Sequence, residues 1–139
     1  MRCLLDTNVF IHYLTDNEAL SADVMSILTD YDNQFYLSAE SVKEMVVAFR
    51  KKGFNSKRWK TSREMVEAIE DFGVSILPIR REHLLTLSSL TVNEAQDHND
   101  PSDHIIISQA ITEHLTLISA DRKFPFYQAQ GLDLVMNKR

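Results

Sequence analysis

Acidic side chains at a few positions along this chain are placed where a divalent metal ion could be held. Asp6 follows an apolar run at once, Asp121 comes shortly after a later one, Asp103 heads the apolar face of a helical segment, and Glu40 and Glu44 open another helical segment. Carboxylate oxygens without a matching set of His or Cys suit a hard cation such as Mg²⁺ or Mn²⁺, not zinc. Four such anions within a few ångströms repel by ~4 kcal/mol per pair at 4 Å in an effective dielectric of 20. Without a cation, at least one of them must take up a proton at a raised pKa. With one, the conflict ends, and the site can activate water, polarise a phosphoryl oxygen and stabilise a leaving oxyanion.

Each acid also has a purely structural reading. Asp103 shares a helix face with Ile106, Ile107, Ala110, Ile111 and His114, where an unpartnered carboxylate is expensive. Either a cation stabilises it or it belongs to a capping arrangement begun by Asp100 and Pro101. Asp6 is either a site residue or the cap of the helix that follows, and Asp121 either joins it or is a turn acid before Arg122 and Lys123. With Val42, Met45, Val46 and Phe49 toward the core, Glu40 and Glu44 share the outward side, and periodicity ranks neither. Ser41 to Glu44 also reads as a capping box.

The elements that must position these groups are short apolar runs alternating with longer helix-period segments. Residues 3–5, 35–37, 74–77, 115–118 and 132–135 read as buried strands. Helices are expected over 9–14, 20–31, 39–52, 56–72, 82–92 and 102–114. Asn55-Ser56, Asp100-Pro101 and Gly131 mark breaks. The alternation predicts an α/β fold: one three-layer α/β/α domain over 1–139 with a mostly parallel sheet of about five strands. Ligands in such sheets bind beyond the carboxyl ends of the strands. Asp6, the 38–44 segment and Asp121 all fall there.

A chain of 139 residues is large enough to fold without disulfides or structural zinc. The lone Cys3 has no partner in the chain, which favours a reducing compartment. The first residues turn acidic too soon for a signal peptide, and no apolar stretch approaches the ~20 residues of a membrane span. The cytoplasm is the expected compartment. A net charge of −5 fits poorly with phosphate binding. However, seven of the 15 basic residues (Arg50, Lys51, Lys52, Lys57, Arg58, Lys60 and Arg63) fall in one acid-free window. Two Mg²⁺ ions on four carboxylates would also bring the net charge from −5 to −1. The basic run is either a nucleic-acid contact, with Phe54 and Trp59 as stacking surfaces, or a solvated helix end with core or interface aromatics.

Four segments occur in series: Leu4-Leu5-Asp6-Thr7-Asn8-Val9-Phe10, Ser38-Ala39-Glu40-Ser41-Val42-Lys43-Glu44, Asp100-Pro101-Ser102-Asp103-His104-Ile105-Ile106-Ile107-Ser108-Gln109-Ala110, and Leu117-Ile118-Ser119-Ala120-Asp121-Arg122-Lys123-Phe124. Together they resemble the four motifs of PIN-domain nucleases, specifically VapC-type toxins of bacterial and archaeal toxin–antitoxin pairs. The resemblance selects Glu44 over Glu40 and implies that Asp6, Glu44, Asp103 and Asp121 hold Mg²⁺. It makes Asn8 and Ser119 supporting polar groups that orient ligands or phosphate. It also implies hydrolysis of RNA to 5′ phosphate and 3′ hydroxyl ends, a homodimer, and a cognate antitoxin that sends an Arg or Lys into the acidic pocket. Two features depart from the pattern: His104 stands where such toxins commonly carry Arg, and the fourth acid varies most in the family.

Competing readings make different demands. A catalytically silent PIN-like scaffold would bind RNA or protein without needing Asp6. An aspartyl-phosphate phosphatase wants a second Asp two positions after the first, where this chain has Asn8. A receiver domain wants its acceptor after the middle strand, and Ile76-Leu77-Pro78-Ile79 offers none.

Overall fold

A computed structural model describes residues 1–51 and 58–138. Its strands are β1 (Arg2–Leu5), β2 (Gln34–Ser38), β3 (Val74–Leu77), β4 (Thr116–Ser119) and β5 (Asp133–Met136). They form one sheet in the order β3-β2-β1-β4-β5, and every pairing is parallel. Around it lie α1 (Thr7–Thr15), α2 (Ala22–Leu28), α3 (Ala39–Arg50), α4 (Ser62–Ala68), α5 (Arg81–Ser89) and α6 (Pro101–Glu113). The fold is the expected α/β/α arrangement, with a wholly parallel sheet.

Strand side chains alternate between the two faces, which divides the core in two. Cys3, Leu5, Leu37 and Ile118 pack against Val9, Val24, Met45 and Met65 from α1 to α4. Leu4 and Leu117 pack against Ile106, Ile107 and Ala110 of α6, with Phe124 and Tyr127. Burial on both faces is why the central strands read as continuous apolar runs instead of alternating ones.

From β1 the chain moves outward to β2 and β3, then α5 and α6 carry it across to β4 and β5 on the other side. The direction of travel reverses between β1 and β4. Loops leaving these two neighbours part there and open a crevice at the strand carboxyl ends.

Two helices start later than the sequence pattern predicts, each where a hydroxyl captures a backbone N–H. The helix expected over 20–31 is only α2, because the Ser21 hydroxyl accepts from Val24 N–H at 3.3 Å and starts it late. In the segment expected over 56–72, Thr61 likewise caps α4 through Glu64 N–H at 3.1 Å. A 3-10 turn, Ile69–Phe72, then runs to Gly73, whose φ of 84° is a left-handed stop that suits glycine. Lys52 and the break expected at 55–56 lie outside the described residues.

α6 is buried continuously from Ile106 to Ala110, not along one stripe. Its second face packs on α5, where the Thr86 and Thr112 hydroxyls meet at 2.6 Å, and Gln109 Nε2 donates to Pro78 O at 3.2 Å. His114, expected on the buried face, is exposed and ends the helix at φ 55°. Among the described residues no helix is long and apolar enough to cross a membrane.

Candidate metal centre at the strand carboxyl ends

Asp6 leaves β1 with its backbone N–H still bonded to Ile118 O at 2.9 Å, so the carboxylate is held at the junction of β1 and β4. Its capping reading is realised. Oδ1 accepts from Thr7 N–H at 2.9 Å as the N-cap of α1, and Oδ2 accepts from the Ser119 hydroxyl at 2.7 Å. Each oxygen keeps lone-pair capacity for another partner. Asp6 is only 8% exposed, and burial pushes its pKa up despite those two hydrogen bonds.

Ser119 also accepts from Asp121 N–H at 3.0 Å, so one hydroxyl orients two acids. Ser119→Ala is expected to weaken divalent-cation binding about 10–100-fold and to destabilise the fold by about 1–3 kcal/mol. Cation titration and urea melts measure the two effects.

The structure separates Glu44 from Glu40. Glu44 Oε1 accepts from the Thr7 hydroxyl at 2.9 Å, and Thr7 Oγ1 lies 2.8 Å from Ser41 Oγ. Burial, then the charges of Asp100, Asp6 and Glu40, push the Glu44 carboxyl up. Glu40, expected on the outward side, is only 9% exposed. It accepts from the Ser102 hydroxyl at 2.8 Å and pairs with Lys43, tying α3 to the start of α6. Burial alone would raise its pKa, but the hydrogen bonds from Lys43 and Ser102 outweigh it and hold the carboxyl below its usual range. Nor does Ser41 cap α3. Ser38 does so through Glu40 N–H at 3.0 Å, and Ser41 is buried one turn further on.

Asp103 sits at the third position of α6, behind Asp100, which caps the helix through Ser102 N–H at 3.0 Å. The Asp103 carboxyl does not serve as a cap, since Oδ2 lies 2.9 Å from His98 Nε2. Burial, then the charges of Asp6, Asp100, Asp121 and Glu44, push its pKa up to about 8 from an ordinary 3.8. Asp121 is a turn acid, accepting from Lys123 N–H at 2.9 Å, and it still reaches the same place. A cleft of about 350 Å³ is lined by Asp6, Glu44, Asp103 and Asp121, together with Asn8 and a fifth acid, Asp100.

His98 corrects the expectation of a site without histidine. One of its ring nitrogens and carboxylate oxygens of Asp103 and Asp121 lie within 4.8 Å of one another. The one available signal was its place five residues before Asp103, in the turn leading to α6. Nothing in the spacing pointed to Tyr127, whose hydroxyl lies 2.8 Å from His98 Nδ1.

The donor set suits a hard divalent cation. The four acids converge, three of them with raised pKa values, and among the described residues no Lys or Arg forms an ion pair with any of the four. Like charges so placed need a counter-charge, and oxygen ligands match Mg²⁺ or Mn²⁺.

The described part of the basic run does not line this cleft. Arg50 and Lys51 end α3, about 9 Å along the helix from Glu44 by its rise per residue. Arg58 donates to Leu14 O at 2.9 Å and lies over the Phe72 ring, and Lys60 N–H donates to Glu64. Trp59 packs against the core and meets Phe72 edge-on at 6.1 Å, which favours the core reading of that aromatic. Lys52, Phe54 and Lys57 lie outside the described residues.

The family model of the PIN domain matches residues 3–130. The fold is similar to VapBC2 from Rickettsia felis bound to a DNA fragment from their promoter, with TM-score 0.73 and 17% identity over 99% of this chain and 100% of that one. VapBC-1 from nontypeable Haemophilus influenzae gives 0.70 and 20%, covering 100% of both chains. FitAcB from Neisseria gonorrhoeae gives 0.64 and 24%, covering 95% of both. No curated protein matches this chain by sequence.

Proposed function

The chain belongs to the PIN-domain family, and from that premise we propose that it is a Mg²⁺-dependent endoribonuclease, the toxin of a toxin–antitoxin pair acting in the cytoplasm. The observation that carries this reading is the convergence of Asp6, Glu44, Asp103 and Asp121 on one cleft with, among the described residues, no Lys or Arg paired to them. A like-charge cluster of this kind, with Asp6 buried and the other three half-buried, is costly to fold and marks a functional site better than a structural one.

Asp6, Glu44 and Asp103 would hold the principal ion, with Asp121 assisting it or a second ion, and Mn²⁺ can take the place of Mg²⁺. When bound, the cation supplies a more acidic water, polarisation of the phosphoryl oxygen and charge to stabilise the leaving 3′ oxygen. The chain's own part is to fix the ligands in advance. Ser119 and Thr7 N–H hold the two oxygens of Asp6, the Thr7 hydroxyl holds Glu44, and Lys123 N–H holds Asp121. Asn8, on the cleft wall, offers an amide to orient the substrate phosphate.

RNA needs cations near the cut. A larger groove, about 1110 Å³, shares Ala120 with the acid cleft and is lined by His12, Arg122 and Lys138. Among the described residues Arg122 and Lys138 form no ion pair, so both charges are available to phosphate. Arg122 follows Asp121 directly in the chain, and both cations line the groove that adjoins the cleft. Replacing both by Gln is expected to raise KM with little change in kcat and to reduce the salt slope of RNA binding by about 0.7 per lost contact. Anisotropy titrations of a single-stranded RNA at several salt concentrations measure this, and an unchanged slope removes the groove from the substrate path.

The likeness to VapBC complexes supports an antitoxin partner; in this reading the antitoxin places a basic side chain among the acids, where opposite charge favours it, and the toxin is a homodimer. The direct test is purified protein on a total-RNA panel with Mg²⁺ or with EDTA. Cleavage with 5′ phosphate and 3′ hydroxyl ends, lost in EDTA, is expected. Cleavage that persists in chelator, or none at all, overturns the reading.

A further inference from the structure

Behind Asp103, beneath the residues that line the cleft, lie buried polar groups that the hydrolysis above leaves without a role. His98 is 1% exposed and Tyr127 0%, so every proton they carry needs an acceptor inside the protein. Their protons can be assigned by counting donors. Asn93 N–H donates to the Tyr127 oxygen at 3.1 Å, so that oxygen already accepts. The single Tyr127 proton has one remaining partner on hand, His98 Nδ1 at 2.8 Å. An Nδ1 that accepts carries no proton, which leaves the ring's proton on Nε2, 2.9 Å from Asp103 Oδ2. The other tautomer, or a doubly protonated ring, would turn an N–H toward the Tyr127 oxygen and strand the hydroxyl proton without an acceptor.

We propose that Tyr127 and His98 are positioning residues for Asp103, a one-way chain of donors from Asn93 N–H through the phenol and the imidazole to Oδ2, leaving Oδ1 for the cation. This deepens the metal reading of Asp103 and rests on it. The chain is anchored at both ends. His104 Nε2 lies 2.9 Å from the His98 carbonyl oxygen and pins the loop to α6. Asn93 Nδ2 donates to Lys123 O at 3.1 Å and ties the same loop to the segment that carries Asp121. A donor that locks one carboxylate oxygen reduces the freedom lost when the ion binds, and such outer partners commonly matter 10–100-fold to metal affinity, as an order of magnitude.

The test begins on cation-free protein in EDTA, where a long-range ¹H–¹⁵N spectrum reads the His98 tautomer. A neutral ring with its proton on Nε2 is expected, and a proton on Nδ1 overturns the proposal. Tyr127→Phe keeps the buried ring and removes the donor. It is expected to mix the His98 tautomers, to weaken Mn²⁺ binding about 10-fold in a paramagnetic titration, and to lower kcat without moving KM for RNA. His98→Gln, which keeps an N–H for Asp103, is expected to retain more Mn²⁺ affinity than His98→Leu. Wild-type Mn²⁺ affinity in Tyr127→Phe sinks the positioning role while the metal reading stands. Wild-type protein that shows the Nε2–H tautomer yet binds no Mn²⁺ sinks the metal reading instead, and the positioning role falls with it.

Discussion

Asp6→Asn is expected to lower RNA cleavage by on the order of 10³-fold, the rate equivalent of several kcal/mol of lost charge stabilisation, and to abolish the rise in Tm produced by Mg²⁺. The substitution changes charge with little change of shape. Asn Oδ1 can still accept from Thr7 N–H, and its amide can donate to Ser119 Oγ, which has a second lone pair beside the one taken by Asp121 N–H. The cation-free variant should therefore fold, with a Tm in EDTA at or above that of the wild type. After burial, the Asp6 charge does most to raise the Asp103 pKa, so its removal lowers that pKa in part. Parallel cleavage assays and thermal melts with and without MgCl₂ decide the matter. Full activity in the variant, or a wild-type Tm indifferent to Mg²⁺, would favour a silent scaffold over a nuclease.

Stability of the cation-free protein is expected to fall as pH rises from about 4 to about 8. The sign follows from the direction of the shifts. Asp103 titrates near 8 in the fold against an ordinary 3.8, so across that window the folded state keeps a proton that the unfolded chain has released. Its contribution is fully present below the unfolded value and is lost as pH climbs through the folded one. The slope reaches about 1.4 kcal/mol per pH unit for one such proton. Asp6 and Glu44 are shifted in the same direction and add to it, while His98, which burial holds below its ordinary 6.5, opposes it over part of the window without cancelling it. Mg²⁺ should flatten the slope, since it competes with protons for the same oxygens. Asp103→Asn removes the buried charge while Asn Oδ1 can still accept from His98. The variant is therefore expected to be more stable than wild type at pH 8 in EDTA, to lose most of the slope, and to gain little from Mg²⁺. Urea melts in EDTA between pH 5 and 9 measure this. A cation-free wild type that becomes more stable with rising pH would contradict the geometry of the cluster.

The boundary between what local pattern carries and what it does not can be traced through single residues. The α/β alternation was legible because burying both faces of a parallel strand demands an unbroken apolar run, and an amphipathic helix demands its own period. These are properties of neighbours in the chain. Asp6 and Asp121 were legible as candidates for the same reason, because the carboxyl end of a strand is known once the strand is known. Glu40 against Glu44 was not legible. Both lie on one side of α3, and the choice depends on what faces them: Ser102 of α6 for Glu40, and Thr7 of α1 for Glu44. The basic window around Arg50 stood out as a run, whereas Arg122 and Lys138, 16 positions apart, come together only across one groove.

By itself, then, the chain's order of residues determined the kinds of element, their succession and the acids at strand ends, because those depend on spacing within a few residues. Tertiary structure alone decided the strand order, the reversal between β1 and β4, the separation of Glu44 from Glu40, and the burial of His98 and Tyr127 behind Asp103. The physical reason is that a carboxylate's pKa and a histidine's tautomer are set by which groups lie within hydrogen-bonding or Coulomb range. In this fold those groups come from residues as distant in sequence as Asp6 and Ser119.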